Sequence, residues 1–382
     1  MAPRKGGSKT KNPVKSNSAK SKKGASVSGE KEAENLKRVP VGLQQLLLNI
    51  FRDSFPATIG SDISTTLQEI KQHLYNRDFQ KAFGQKEYLE AYAVRWSPSR
   101  ALCYAEIFKD ILPLIDGACD DSENGGTIAI TCLGGGAGAE IVGLAAIVKN
   151  LSDLVNEGQD AEPQGERCKS MYVRTIDIAD WSAIINSLVS GITTPPPLSA
   201  YASASAKASN AALVEAPQFT VSAMQADLLS MDASELQKAL SGASLVTLMF
   251  TLNELYTTSI PLAQKFLANL TAAVQPGTLL LVADSPGSYS TVTLNGKEKK
   301  YPMHWLLDHT LLKAGKEKRS DTDQDSEQQG VTSESKSTES TSERAWEKLK
   351  TCESIWFRLP EGLKYPIPLE NMRYQLHLYR KI

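Results

Sequence analysis

The residues best placed to do chemistry are glycines. Gly134, Gly136 and Gly138 follow an apolar, β-rich run, Thr127–Leu133, and precede a helical run, Ala139–Lys149. Glycine lets the chain turn sharply and bring its backbone against a ligand with no Cβ in the way, and the helix that follows offers free N–H groups. Gly134-x-Gly136-x-Gly138 has the spacing of S-adenosylmethionine (SAM) methyltransferases, while Gly134-x-Gly136-x-x-Ala139 satisfies the dinucleotide pattern. No Gly-Lys-Ser/Thr follows, which excludes a Walker A phosphate loop. In either fold a ribose-binding acid belongs at the end of the second strand. Asp177 is placed for that role, 43 residues after Gly134, against a usual spacing of ~20; the polar stretch 152–169 absorbs the excess as a loop. Asp180 is the better cap for the helix near Trp181. Asp227, after the third strand, is a candidate contact to the adenine amino group, or else a cap for the helix at Ala233–Leu240.

The elements that must position these residues alternate from residue 126 onward. Strands are expected at Thr127–Leu133, Met171–Ile178, Phe219–Ala223, Ser244–Thr251 and Thr278–Ala283, with helices at Ala139–Lys149, Trp181–Val189 and Leu262–Val274. Two further strands, Glu353–Leu359 and Arg373–Arg380, have only a Pro/Gly-containing loop between them. A βα series ending in adjacent strands predicts an α/β fold, a mainly parallel Rossmann-like sheet with an antiparallel C-terminal edge hairpin. That terminal pair favours the methyltransferase reading, because dinucleotide-binding folds continue with parallel βα units. Residues 41–120 read as a helical annex. Leu43, Leu46, Leu47, Ile50 and Phe51 share one face, a second helical pattern covers Ile63–Phe83, and a third helix is expected to open with Ser97 as N-cap and Pro98 at its first position.

Composition bounds the rest. Lys+Arg 42 against Asp+Glu 43 leaves a net charge of −1, and hydrophobic residues make up 41%, which excludes a wholly disordered or fibrous chain. Residues 1–23 carry eight basic side chains and no acid, so residues 24–382 carry −9. Residues 1–38 are expected as a disordered basic tail, 40–120 as the annex, and 125–382 as the catalytic-type domain with low-complexity insertions near 190–216 and 315–345. Five scattered cysteines without a CxxC or CxxH pair predict neither a disulfide framework nor a metal site. The apolar-leaning run Phe266–Ala283 is broken by Asn269, Gln275, Pro276 and Gly277, so it reads as helix, turn and strand and not as a membrane span. A soluble intracellular protein is the expectation.

The glycine loop Leu133–Glu140, Thr175–Trp181, Phe250–Leu255, Asp284–Tyr289, Tyr301–Leu312, Tyr365–Tyr379 and the upstream block Arg95–Ala101 together resemble the fungal 25S (large-subunit) rRNA uridine-N3 methyltransferases, over roughly residues 40–382. The resemblance implies a class I SAM methyltransferase with SAM held at Gly134, Gly136, Gly138 and Asp177. It implies large-subunit rRNA or a pre-ribosomal particle as partner. The basic tail of residues 1–23 is a candidate for binding that rRNA or for a nuclear or nucleolar address, with the cytoplasm as a further location; the alternative is a solubilising arm. Thr131 and Cys132 stand where many class I enzymes carry an acid just before the glycine loop, which leaves the usual contact to the SAM amino group unassigned.

Uracil N3 carries a proton and lies between two carbonyls on the Watson–Crick edge. Its methylation needs an unpaired base, a proton acceptor and stabilisation of charge on the flanking oxygens. At the end of the fourth strand, Glu254 is the candidate acceptor of the N3 proton and Asn253 the candidate hydrogen-bond partner of a uracil carbonyl; the alternative is that both only cap the next helix. Asp284-Ser285-Pro286-Gly287 forms a second candidate wall. Tyr289, Tyr301, His304 and Trp305 could stack on a base, with Trp305 expected in the core. Arg95 and Arg100 are candidates for phosphate or the SAM carboxylate. The rival readings are a SAM methyltransferase for a protein or small molecule, and a non-catalytic methyltransferase fold serving ribosome assembly.

Overall fold

The computed structural model describes residues 38–116, 126–156, 170–287, 289–294, 297–312 and 344–382. The expected basic tail and the acidic insertion at 315–345 fall almost wholly outside these residues. From Pro40 to Ile382 the chain forms one compact unit. It opens with helices α1 (Val41–Ser54), α2 (Pro56–Ile59), α3 (Ser64–Tyr75), α4 (Phe79–Ala82) and α5 (Lys86–Asp116). In α1 the buried face carries Leu43, Leu47, Leu48, Ile50 and Phe51, while Leu46 faces solvent. The helix expected over Ile63–Phe83 is broken in two. Arg77 takes a left-handed backbone, φ 57°, and the Asp78 carboxylate accepts from Lys81 N to start α4.

Helix α5 corrects the expectation that a helix starts at Ser97-Pro98. It begins at Lys86 and runs through Pro98 and Pro113. A proline inside a helix leaves the carbonyl four residues earlier without its N–H donor. For Pro98 that carbonyl is Val94 O, and it accepts instead from the Tyr365 hydroxyl at 3.0 Å. Ser97 caps nothing; its hydroxyl donates to Ala137 O in the glycine loop at 2.7 Å. Ser99 Oγ accepts from Glu370 N at 3.0 Å. The middle of α5 is thereby stitched both to the glycine loop and to the loop before the last strand.

The α/β part continues as β1 (Thr127–Leu133), α6 (Ala139–Asn156), β2 (Ser170–Asp177), α7 (Ser182–Thr193), α8 (Ala204–Ala208), β3 (Phe219–Gln225), α9 (Ala233–Leu240), β4 (Leu245–Met249), α10 (Leu252–Thr258), α11 (Ile260–Ala273) and β5 (Leu279–Asp284). The hairpin β6 (Tyr289–Leu294) and β7 (Lys297–Pro302), then α12 (Met303–Leu312), β8 (Trp346–Phe357) and β9 (Met372–Lys381), complete it. The seven-stranded sheet has the order β3-β2-β1-β4-β5-β9-β8. Strands β1 to β5 are parallel, and β9 runs antiparallel between β5 and β8. This is the class I methyltransferase sheet with its antiparallel C-terminal hairpin, as expected. The β6–β7 hairpin was not anticipated.

Strands β4 and β5 are buried at every position, which is why they read as unbroken apolar runs. Leu236, Leu240, Phe266, Leu270, Leu307 and Leu311 from α9, α11 and α12 pack with Val246, Leu248, Leu280 and Val282 of these strands. Trp346 and Tyr379 close this core with no exposed surface, each contributing on the order of 2–3 kcal/mol by burial. Their polar ends stay satisfied, Trp346 Nε1 on Thr271 Oγ1 at 2.9 Å and Tyr379 OH on Asp308 Oδ1 at 2.7 Å. The low-complexity stretch 190–216 is anchored at its far end: Leu213 and Val214 are buried, and both N–H groups reach Ile192 O at 3.0 and 3.2 Å. Among the described residues no helix is long and apolar enough to cross a membrane. The chain reverses direction across the sheet between β1 and β4, and the carboxyl ends of those strands open the crevice where ligands bind in such sheets.

Candidate active site

The glycine loop leaves β1 at Leu133, and its first N–H, that of Gly134, donates to Ile176 O at 2.7 Å. Gly134 and Gly138 both have φ +81°, a backbone that side chains with a Cβ rarely adopt. Protein, not open space, lies against the loop. A Cβ on Gly134 would meet Thr251 Oγ1 at 2.2 Å, and one on Gly136 would meet Trp181 Cδ1 at 2.0 Å.

Asp177 sits where the ribose-binding acid was expected. Its Oδ2 accepts from Gly136 N at 3.0 Å and its Oδ1 from Ala179 N at 3.2 Å. Burial pushes its pKa up, and the Ala179 and Gly136 N–H groups oppose that rise. The Trp181 indole N–H is close enough to favour the charged carboxylate but reaches no acceptor in hydrogen-bond geometry. A carboxylate at the end of β2, a turn with two left-handed glycines and a buried donor in want of an acceptor fit the ribose end of SAM. Asp180 Oδ1 accepts from Ser182 N at the entry of α7, 3.0 Å. Asp227 Oδ1 accepts from Leu229 N at 3.0 Å and is exposed; it does not cap α9, whose cap is Asp232 in a capping box with Glu235.

The annex closes over the loop. The Phe83 ring lies 5.4 Å and the Tyr92 ring 5.8 Å from that of Trp181, and Trp96 packs on Tyr92 at 4.8 Å. Beneath the loop sits a carboxyl that sequence reasoning did not single out. Glu140, in the first turn of α6, is buried and accepts from Thr247 Oγ1 of β4. Its Oε2 lies 2.5 Å from the position a Cβ would take on Gly135. Burial pushes its pKa up to about 7, against hydrogen bonds from Thr247 and Cys132. Glu140 thus places a buried acid against Gly135 and Cys132, next to the position where Thr131 and Cys132 supply none.

At the carboxyl end of β4 the backbone is strained. Phe250 has φ 59°, an outlier for a bulky residue, held by its N–H on Ala283 O at 2.7 Å. Such strain persists where the surroundings over-determine it and clusters at functional sites. Asn253 and Glu254 follow in the first turn of α10. Asn253 N donates to Asp284 Oδ2 at 2.9 Å, and Ser285 N to Asp284 Oδ1 at 2.7 Å. Burial pushes the Asp284 pKa up to about 6, opposed by those two N–H groups. Glu254 pairs with Arg77 of the annex at 2.6 Å. The expected acceptor-side groups are thus neighbours at the ends of β4 and β5.

Beside them opens a cleft of about 190 Å³ lined by Arg95, Trp96, Arg100, Phe250, Glu370 and Arg373 among others. Arg95 pairs with Glu370. Arg100 Nη1 donates to Tyr92 OH at 2.7 Å, and its guanidinium lies 5.7 Å from both the Tyr92 and Phe250 ring centres. Protein surrounds Arg100, yet it keeps some exposure to the cleft. Burial works against its charge, but Tyr92, Tyr104 and Glu370 outweigh that and keep it protonated. Trp305, expected in the core, is 58% exposed. The His304 ring stacks at 5.5 Å on His377, Tyr301 is part-buried, and the Tyr289 side chain lies outside the described residues. Among the described residues no cluster of three or more His, Cys, Asp or Glu could hold a metal.

Residues 51–380 match a family model described as "Putative SAM-dependent methyltransferase". The chain is 33% identical over 328 residues, 84% of this chain and 79% of the relative, to the 25S rRNA (uridine(2843)-N(3))-methyltransferase of Saccharomyces cerevisiae. Similar solved structures include a SAM-dependent methyltransferase from Methanosarcina mazei (9% identity, TM-score 0.33, 67% of this chain and 93% of that one). Another is an amino pentose methyltransferase from Micromonospora echinaspora solved with SAM bound (11% identity, TM-score 0.32, 74% and 94%). The chain belongs to the SAM-dependent methyltransferase family whose model spans it from residue 51 to residue 380.

Proposed function

We propose that this methyltransferase modifies N3 of a uridine in large-subunit (25S) rRNA. The observation that carries the reading is the 33% identity, across 84% of the chain, to a yeast enzyme named for that reaction. The cleft supports it: guanidinium groups of Arg95, Arg100 and Arg373 with the rings of Trp96 and Phe250 suit a planar base on an anionic backbone.

Bound SAM supplies an electrophilic methyl group, and the chain's own residues supply alignment and proton transfer. Asp177 and the glycine loop orient the cofactor. Phe250 and Trp96 face the base, and Arg100 places positive charge where the uracil oxygens gain electron density. Glu254 takes the N3 proton directly or through water, and Asn253 orients the uracil through a carbonyl. Asp284, held by the Asn253 and Ser285 N–H groups, is the neighbouring carboxylate that can share this role. The eight basic side chains among residues 1–23 support a nuclear or nucleolar location and contact with the pre-ribosomal particle.

The test is transfer from methyl-labelled SAM to purified 25S rRNA by the full chain, followed by nucleoside analysis. Label in 3-methyluridine supports the reading. Label in another nucleoside, or in protein only, overturns it.

A further inference from the structure

Strand β8 carries two tryptophans in opposite situations. Trp346 at its start is wholly buried, whereas Trp356 near its end is 50% exposed. Core packing does not account for Trp356. It stands directly opposite Arg373 of β9 in the strand register. The Arg373 guanidinium lies 5.7 Å and that of Arg358 lies 4.1 Å from the centre of its ring. The register shifts between Cys352 and Ile355, and such an irregularity re-aims the end of a strand. Arg373 Nε donates to Ser354 Oγ at 2.9 Å, which holds its guanidinium beside the ring. Arg373 also lines the cleft that holds Phe250 and Arg95, so the Arg–Trp–Arg row continues that cleft along the surface.

Two guanidiniums around an exposed indole stand out on a body whose residues 24–382 carry −9. We propose that Trp356 with Arg358 and Arg373 is a stacking platform for a nucleotide flanking the target in single-stranded RNA. The inference rests on the acceptor being RNA. Stacking on an indole tolerates any base, and the exposed Arg358 guanidinium can swing from the ring to an adjacent phosphate while Arg373 stays in place beside it. The arrangement therefore grips the strand next to the cleft without reading sequence, leaving base choice to the cleft itself.

The experiment measures binding of a fluorescein-labelled single-stranded oligouridylate to the full chain by anisotropy, beside methylation of 25S rRNA and SAM binding by calorimetry. Trp356→Ala is expected to weaken oligouridylate binding roughly tenfold or more, with SAM affinity unchanged and Trp356→Phe retaining most of the binding. Arg358→Gln with Arg373→Gln should flatten the salt dependence of binding. If Trp356→Ala loses its circular dichroism signal, Trp356→Phe and the arginine pair decide. Wild-type protein that methylates 25S rRNA while Trp356→Ala binds the oligouridylate as tightly as wild type overturns the platform and leaves the activity standing. The platform is equally overturned if wild type methylates rRNA but does not bind the oligouridylate. Wild-type protein that does neither overturns both.

Discussion

The Tyr365 hydroxyl donates to Val94 O at 3.0 Å, the carbonyl that Pro98 leaves without its helical partner. A residue of the loop between β8 and β9 thereby completes a helix of the annex. Gln45 reinforces the same joint, its Oε1 accepting from Lys364 N at 2.8 Å and its Nε2 donating to Lys364 O at 2.9 Å. Tyr365→Phe removes only the hydroxyl and strands a buried acceptor. It should cost about 1–3 kcal/mol of stability, read as a lower urea midpoint with an unchanged slope.

Asp177 is tied to the glycine loop through Gly136 N. If Asp177 holds the ribose hydroxyls, Asp177→Asn keeps its shape but removes the charge they need, and SAM affinity should fall by about 1–3 kcal/mol. Calorimetry gives this directly, and an unchanged dissociation constant would place the ribose contact elsewhere. Gly136→Val should also abolish SAM binding, but through Trp181. The new side chain collides with the indole before it reaches any ligand, so loss of thermal stability should accompany loss of binding.

Glu140 gives the fold a pH dependence with a definite sign. Its pKa is 4.5 when unperturbed and about 7 in the folded chain, so the folded state binds the proton more tightly. Its contribution to stability is full below about 4.5 and is lost as pH rises through about 7. Glu140→Gln keeps an acceptor for Thr247 and cannot ionise. The variant should gain stability relative to wild type as pH rises across that window, by on the order of a few kcal/mol. Paired thermal melts across pH measure this, and a constant difference would contradict it.

The carboxylates near Asn253 separate by kinetics. Glu254→Gln should leave SAM binding intact and lower single-turnover methylation at neutral pH by ~10²–10⁴-fold, with recovery at high pH, where hydroxide can generate the N3 anion. Arg77→Met breaks the Arg77–Glu254 pair but leaves the carboxylate. It should cost far less if Glu254 is the base, and as much as Glu254→Gln if the pair only clamps annex to sheet. Asp284 is raised from 3.8 to about 6 by burial. A rate that climbs through about pH 6 and loses that limb in Asp284→Asn would assign the proton to Asp284.

The sheet was legible because its central strands are buried on both faces and spell continuous apolar runs, and because the last two strands have no helix between them. The position of Asp177 at the end of β2 was legible from the β-rich run that leads to it. The course of α5 was not, since Pro98 reads as a helix start unless Tyr365, 271 residues after Val94, is known to satisfy that carbonyl. Glu140 was hidden for the same reason: its partner Thr247 lies 107 residues away. The left-handed Phe250 carries no local signal, because nothing in its residue type favours that backbone. The β6–β7 hairpin escaped because its second strand, Lys297–Pro302, is four-sixths charged (KEKKYP) and shows none of the apolar alternation by which strands are recognised.

Methylation of uridine N3 by this chain would leave its product in large-subunit rRNA. Mass spectrometry of nucleosides from 25S rRNA, purified from cells with and without the protein, tests it most directly. 3-Methyluridine is expected to fall when the protein is removed and to return with the wild-type chain but not with Asp177→Asn. Unchanged 3-methyluridine in cells lacking the protein would contradict it.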